Sequence, residues 1–122
     1  MKLNQYELEK KCNELWAITG YEWEVYAKDS RYIISEYGEV YTTYGKGRIL
    51  KANTLAIGYK RYKLACGSEY VHRMVAFTFH GDKSGEGLEV DHIDRDKSNN
   101  HYSNLRWVTR KENCNNRGNR KK

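Results

Sequence analysis

Val90-Asp91-His92-Ile93-Asp94, then Asn104-Leu105-Arg106-Trp107-Val108-Thr109, then Glu112-Asn113: the spacing of these residues predicts how the chain folds. Leu88 to His92 reads as a strand that delivers Asp91 and His92 at its end. Neighbours in a strand point to opposite faces unless the strand terminates or bulges there. Ile93 to Ser103 is a polar loop carrying Asp94, Asp96, Asn99 and Asn100. Such a loop must be held by its own carboxylates and amides. Asn104 begins a return strand through Val108. Thr109 and Glu112 then form T-x-x-E, a capping box that starts a helix sharply. Asn113 falls in its first turn and Asn116 one turn on, on the same face.

Strand, loop, strand and helix would thus gather Asp91, His92, Asn104 and Asn113, which span 23 residues of sequence. Oxygen donors such as Asp and Asn suit a hard divalent cation. His is the usual base near neutral pH. A lone Asp-His pair is ordinarily turn or surface chemistry, and Asn-rich loops need no metal. Here the base, the oxygen donors, the capping box and the flanking positive charge occur together, and together they point to phosphodiester hydrolysis.

The charge is unevenly spread. The chain has 122 residues and a formal net charge of +6, with mean hydropathy −0.97 and a pI near 9.2. Residues 105–122 hold seven basic side chains against one acid, so the whole excess lies there. A second basic stretch runs from Lys46 to Arg73, and Asp82 to Asp96 between them is acidic. An acidic pocket between basic arms fits a cation opposite a phosphate backbone. Candidate DNA contacts are Lys51, Lys60, Arg61, Lys63, Arg106, Arg110, Arg117 and Arg120. No apolar run approaches the roughly 20 residues of a spanning helix, so no membrane partner is expected. The charged start MKLNQYELEKK does not read as a secretory signal. Cys12, Cys66 and Cys114 lack C-x-x-C spacing, which fits a reducing cytoplasm.

Three units follow: a helix in residues 1–20, a β-rich module with a short closing helix in 21–81, and the motif with its basic tail in 82–122. Asn4 and Glu7 resemble a capping box. Leu8, Cys12, Leu15 and Trp16 recur at helical spacing, and Gly20 stops the helix. Tyr32-Ile33-Ile34-Ser35 and Glu39-Val40-Tyr41-Thr42 are strands joined by Glu36-Tyr37-Gly38. Tyr59 to Leu64 alternates, with Tyr59, Arg61 and Lys63 on one face and Lys60, Tyr62 and Leu64 on the other. Such a face either enters a DNA groove or forms an ordinary sheet with lysines in water. Val71, Met74, Val75 and Phe79 make a helical stripe ended by Gly81. His72, on that helix, reads as a structural histidine or phosphate neighbour rather than the base.

Asp91-His92, Asn104 and Asn113 in this frame resemble the HNH endonucleases of the ββα-metal (His-Me finger) fold, in particular the phage and intron-encoded homing type. Trp23, Tyr32 to Ser35, Gly38 to Tyr41, Leu50-Lys51, Gly58-Tyr59 and Val71 to Ala76 are similar to the N-terminal module of that group. The resemblance covers roughly residues 21–117 and implies an α+β fold: a helix, a small antiparallel module, then the hairpin and helix. It implies His92 as general base, Asp91 and Asn113 as ligands of one Mg²⁺ or Mn²⁺, and Asn104 as the brace of the loop carrying the base. Asn113 stands where the motif often has His. The implied partner is double-stranded DNA, cut to 5′-phosphate and 3′-hydroxyl ends. A monomer would nick, in a cytoplasm that could be a phage host's. The other reading is a DNA-binding module derived from such a nuclease that no longer cuts. Monomer and homodimer both stay open.

Overall fold

The computed structural model describes residues 3–81, 83 and 86–112. The expected α+β class is what it shows. Helix α1 spans Gln5–Thr19, and both halves of its capping box form. Glu7 N–H donates to Asn4 Oδ1 at 2.8 Å and Asn4 N–H to Glu7 Oε1 at 3.0 Å. Gly20 closes the helix at φ 83°, in the left-handed region that suits glycine. Leu8 and Leu15 are buried while Trp16 is 54% exposed. Leu8 and Leu15 lie nearly two full turns apart, and Trp16 is rotated a further ~100° around the axis. The expected stripe therefore loses its last member.

A four-stranded antiparallel sheet follows, in spatial order β1 (Trp23–Val25), β2 (Tyr32–Ser35), β3 (Val40–Thr42) and β4 (Arg48–Ile49). Strand β2 is buried on both faces. Ile33 packs with Leu8, Leu15 and Trp23 beneath α1. Ile34, on the opposite face, joins the main core of Tyr26, Tyr32, Val40, Tyr62, Val71, Met74 and Val75. Tyrosine can serve as core because each ring carries a polar end that finds a partner. Tyr62 Oη donates to the Gly38 carbonyl at 3.2 Å, and Tyr32 Oη accepts from Ala65 N–H at 2.8 Å.

A three-stranded antiparallel sheet comes next, with β5 (Asn53–Thr54), β6 (Lys60–Leu64) and β7 (Gly67–Tyr70) in order. Helix α2 (Val71–Phe79) turns inward from the end of β7 with Val71, His72, Met74, Val75 and Ala76 buried. It packs on both of these sheets and on a final hairpin, β8 (Glu89–His92) with β9 (Leu105–Val108). Asp91 pairs with Arg106 across this hairpin, and His92 with Leu105. Asn104 ends a short 3₁₀ turn, Tyr102–Asn104, one residue before the strand expected to begin with it. Val90 and Leu105 enter the same core as Tyr26 and Ile34. The hairpin is therefore seated on the upstream module.

Gly38 makes this seating possible. Its φ is 91°, and a Cβ there would lie 2.4 Å from Val71 Cγ1 and 3.4 Å from Asn100 Cβ. The tip of the β2–β3 hairpin is thus pressed at once on α2 and on the loop between β8 and β9.

Candidate active site

The β8–β9 loop holds itself in shape with its own polar side chains. Asn104 Oδ1 accepts from Asp94 N–H at 3.1 Å, while its amide nitrogen donates to Asp94 Oδ1 and the Asn99 carbonyl, each at 2.9 Å. Asn99 reaches Asp94 Oδ2 at 2.9 Å, and Asp96 caps Ser98 at 3.0 Å through the backbone and 2.7 Å through the hydroxyl. The Asn99 amide, the Asp96 N–H and the Asn104 amide hold the Asp94 carboxyl below its ordinary range. The Ser98 hydroxyl and N–H do the same for Asp96. Arg95 takes a φ of 65°, unusual for a side chain of its size, at the bend these bonds enclose.

His92 stands where this loop begins and is 5% exposed. Its Nε2 lies 2.8 Å from Asn100 Oδ1, itself buried. An amide oxygen only accepts, so Nε2 carries the proton and donates. In the neutral ring Nδ1 is then bare and able to take a proton. The Asn100 contact is a feature of the candidate site that the sequence did not reveal. Asn99 and Asn100 are adjacent and chemically identical, and only the three-dimensional loop separates the one that braces Asp94 from the one that orients His92.

Asp91, beside His92, is 6% exposed. Its Oδ2 accepts from Arg106 Nε at 3.2 Å and Nη2 at 3.1 Å. Asp91 and Arg106 are cross-strand partners, so their side chains share a face. Arg106, expected to touch DNA, is here turned to Asp91. Asn113, the other expected metal ligand, lies outside the described residues, as do Asn116, Arg117, Arg120, Lys121 and Lys122. Among the described residues no three of His, Cys, Asp and Glu gather as an ion-binding group. One buried carboxylate nevertheless fits Mg²⁺, which keeps several waters and takes one or two carboxylates plus substrate phosphate. The Thr109–Glu112 capping box forms at 2.8 and 3.1 Å, so a helical turn starts at Arg110 where the spacing predicts.

His72 is not remote from this centre. Its ring centroid is 5.0 Å from that of His92 and 5.0 Å from that of Tyr59, on which it stacks. Burial, then the neighbouring His92 and Arg73, push its pKa down to about 3. Lys97 covers the outer side of Tyr59 at 4.8 Å and donates to the Ile57 carbonyl at 2.8 Å. The remaining expected DNA contacts are spread. Lys51 and Lys63 are exposed, Lys60 and Arg61 half-buried, and Arg110 reaches toward Glu89 at 3.9 Å.

This fold and this loop define a class. Residues 69–115 match the family model for HNH endonuclease, the family that Asp91-His92, Asn104 and the capping box resemble. Among individual proteins, the chain is similar to DNA endonuclease I-HmuI of Bacillus phage SP01, at 41% identity over 78% of this chain and 56% of that protein. It is also similar to the HNH endonuclease L247 of Acanthamoeba polyphaga mimivirus, at 30% identity over 91% of this chain and 27% of the relative. A homing endonuclease of the SPbeta prophage in Bacillus subtilis, YosQ, is 47% identical over 47% of this chain and 32% of its own length. The solved structure of I-HmuI, described in terms of DNA binding and cleavage, superposes with a TM-score of 0.68 and 40% identity over 81% of this chain and 59% of that one. The chain thus spans a little over half the length of the first of these relatives.

Proposed function

We propose that this chain is a metal-dependent endonuclease of double-stranded DNA that nicks as a monomer. The observation that carries the reading is the bond from His92 to Asn100 beside the buried Asp91. It holds one imidazole in one tautomer with Nδ1 bare, one residue along the strand from the buried carboxylate. His92 Nδ1 takes a proton from the attacking water. Asn100 keeps the ring in line, and Asn104 holds the loop on which the ring depends. Asp91 and Asn113 would hold one Mg²⁺ or Mn²⁺, which when bound supplies positive charge at the scissile phosphate. Arg110 and the basic tail hold neighbouring phosphates. I-HmuI, with which the chain shares its fold and two fifths of the aligned residues, is a DNA endonuclease by name.

One observation favours a second reading. Arg106 on Asp91 offsets the carboxylate that the cation needs, as would suit a module that binds DNA without cutting it. Incubating supercoiled plasmid with the protein separates the two. Nicked circles in Mg²⁺ but not in EDTA, with cleavage by His92→Ala reduced ~10²–10⁴-fold, support the nuclease. Retained DNA binding with no nicking in Mg²⁺ or Mn²⁺ establishes the second reading instead.

A further inference from the structure

A cleft of about 280 Å³ opens beside the base, with Tyr59, Tyr70, His72, Arg73 and Arg110 among its walls. The mechanism above uses only Arg110 at its rim and leaves His72 without a role. His72 is only 8% exposed, and among the described residues its ring nitrogens make no hydrogen bond or ion pair. Its nitrogens are not sealed off, since among the described residues only Arg61 Nε and Thr78 Oγ1 are fully buried without a partner; the polar edge of the ring is therefore open to the cleft. Its ring lines the cleft and is held in place by stacking on Tyr59.

The surroundings indicate what this nitrogen awaits. His72 is the second residue of α2, whose N-cap Tyr70 offers no side-chain hydrogen bond. The first-turn N–H groups of a nine-residue helix thus point toward the same end, carrying the positive end of the helix dipole. Arg73 is exposed and lies over the Tyr70 ring at 5.9 Å, and Arg110 stands at the rim. Glu89 also lines the cleft and opposes an anion, but Arg110 approaches it at 3.9 Å. Donors, cations and aromatic walls fit one occupant, a sugar–phosphate unit.

We propose that His72 donates a hydrogen bond to a DNA phosphate neighbouring the one that is cut, with the start of α2 and Arg73 sharing that phosphate. The inference rests on the endonuclease reading above. The contact registers the strand, so that the adjacent phosphate falls beside His92. Burial holds the His72 pKa below its ordinary value in the free protein, and its N–H can donate to the phosphate whether the ring is neutral or charged.

A set of duplexes, each with one neutral methylphosphonate near the cut, tests this by single-turnover cleavage below saturation. At one flanking phosphate the wild type should lose about tenfold, the scale of one hydrogen bond to a charged group. His72→Phe should lose about that much on unmodified DNA and nothing further at that phosphate, while keeping its sensitivity elsewhere. His72→Gln, with an amide N–H, should regain part of the response. A merely structural histidine would leave the pattern of sensitivity unchanged, and an unchanged pattern in His72→Phe overturns the proposal. Should His72→Phe fail to fold, Arg73→Gln on the exposed rim gives the same reading, a weakened response at the same phosphate; an undiminished one overturns it. A wild type that binds DNA without cutting sinks the endonuclease reading alone, and the same scan read as binding still decides on His72.

Discussion

In the proposed mechanism, Asn100 sets the geometry of the base, His92. Asn100→Leu keeps the approximate volume but leaves the Nε2 proton of His92 buried without an acceptor. The expected result is a ~10–100-fold loss of cleavage at saturating DNA with little change in affinity, since orientation rather than contact is lost. Equal turnover by mutant and wild type would show that Asn100 does not set the tautomer. His72 gives a second test at this scale. Its folded pKa lies near 3 against 6.5 for the free side chain. Between those values the unfolded chain binds a proton that the folded chain refuses. Stability is therefore fully present above 6.5 and falls as pH drops through that window. Melting followed by circular dichroism should lose about 2 kcal/mol between pH 6.5 and about pH 5, and His72→Phe should flatten that part of the curve. An equally steep curve in the mutant would assign the acid sensitivity elsewhere.

At the scale of elements, most of the site's frame was legible in the sequence. The Thr109–Glu112 and Asn4–Glu7 boxes form because capping is local chemistry, settled within four residues. The β2–β3 hairpin, α2 and the β8–β9 pair follow from periodicity and turn residues for the same reason. What stayed hidden depends on distant contacts. The pairing of Asp91 with Arg106 needs the hairpin register, and the approach of His72 to His92 needs the packing of α2 on β8. Gly38 was visible only as a turn residue. The structure makes it the point where one hairpin meets both α2 and the loop of the base. Gly38→Ala at φ 91° would push Val71 and Asn100 aside. It should cost about 1–3 kcal/mol in denaturant unfolding and lower cleavage more than binding. A fully active, fully stable Gly38→Ala would mean that this hairpin tip does not position the loop.

At the scale of the whole molecule, the proposed function makes charge the source of the grip on DNA. The basic excess lies in residues 105–122, while Lys60, Arg61 and Lys63 lie on the second sheet, with Lys60 on the face opposite the other two. Phosphate contacts release counterions, so affinity should fall steeply with salt. Replacing Arg117, Arg120, Lys121 and Lys122 by Ala should weaken binding on every sequence and flatten the salt slope. Replacing Arg61 and Lys63 should also change which sites are cut if the sheet face enters a groove. Binding isotherms at two salt concentrations check both. Unchanged affinity in the two variants would route the DNA elsewhere.

The shared core has one more consequence, for how such a motif can be inherited. Val90 and Leu105 are buried among Tyr26, Ile34 and Val40, so the β8–β9 hairpin borrows its interior from residues far upstream in the chain. It is not a portable cassette. Recombination at the acidic joint near residue 82 would hand a recipient gene a hairpin with no floor. A peptide of residues 82–122 should be unstructured by near-ultraviolet circular dichroism, and adding residues 1–81 in trans should restore the signal. A crossover inside the stretch from β1 to the hairpin would therefore divide one core between two genes.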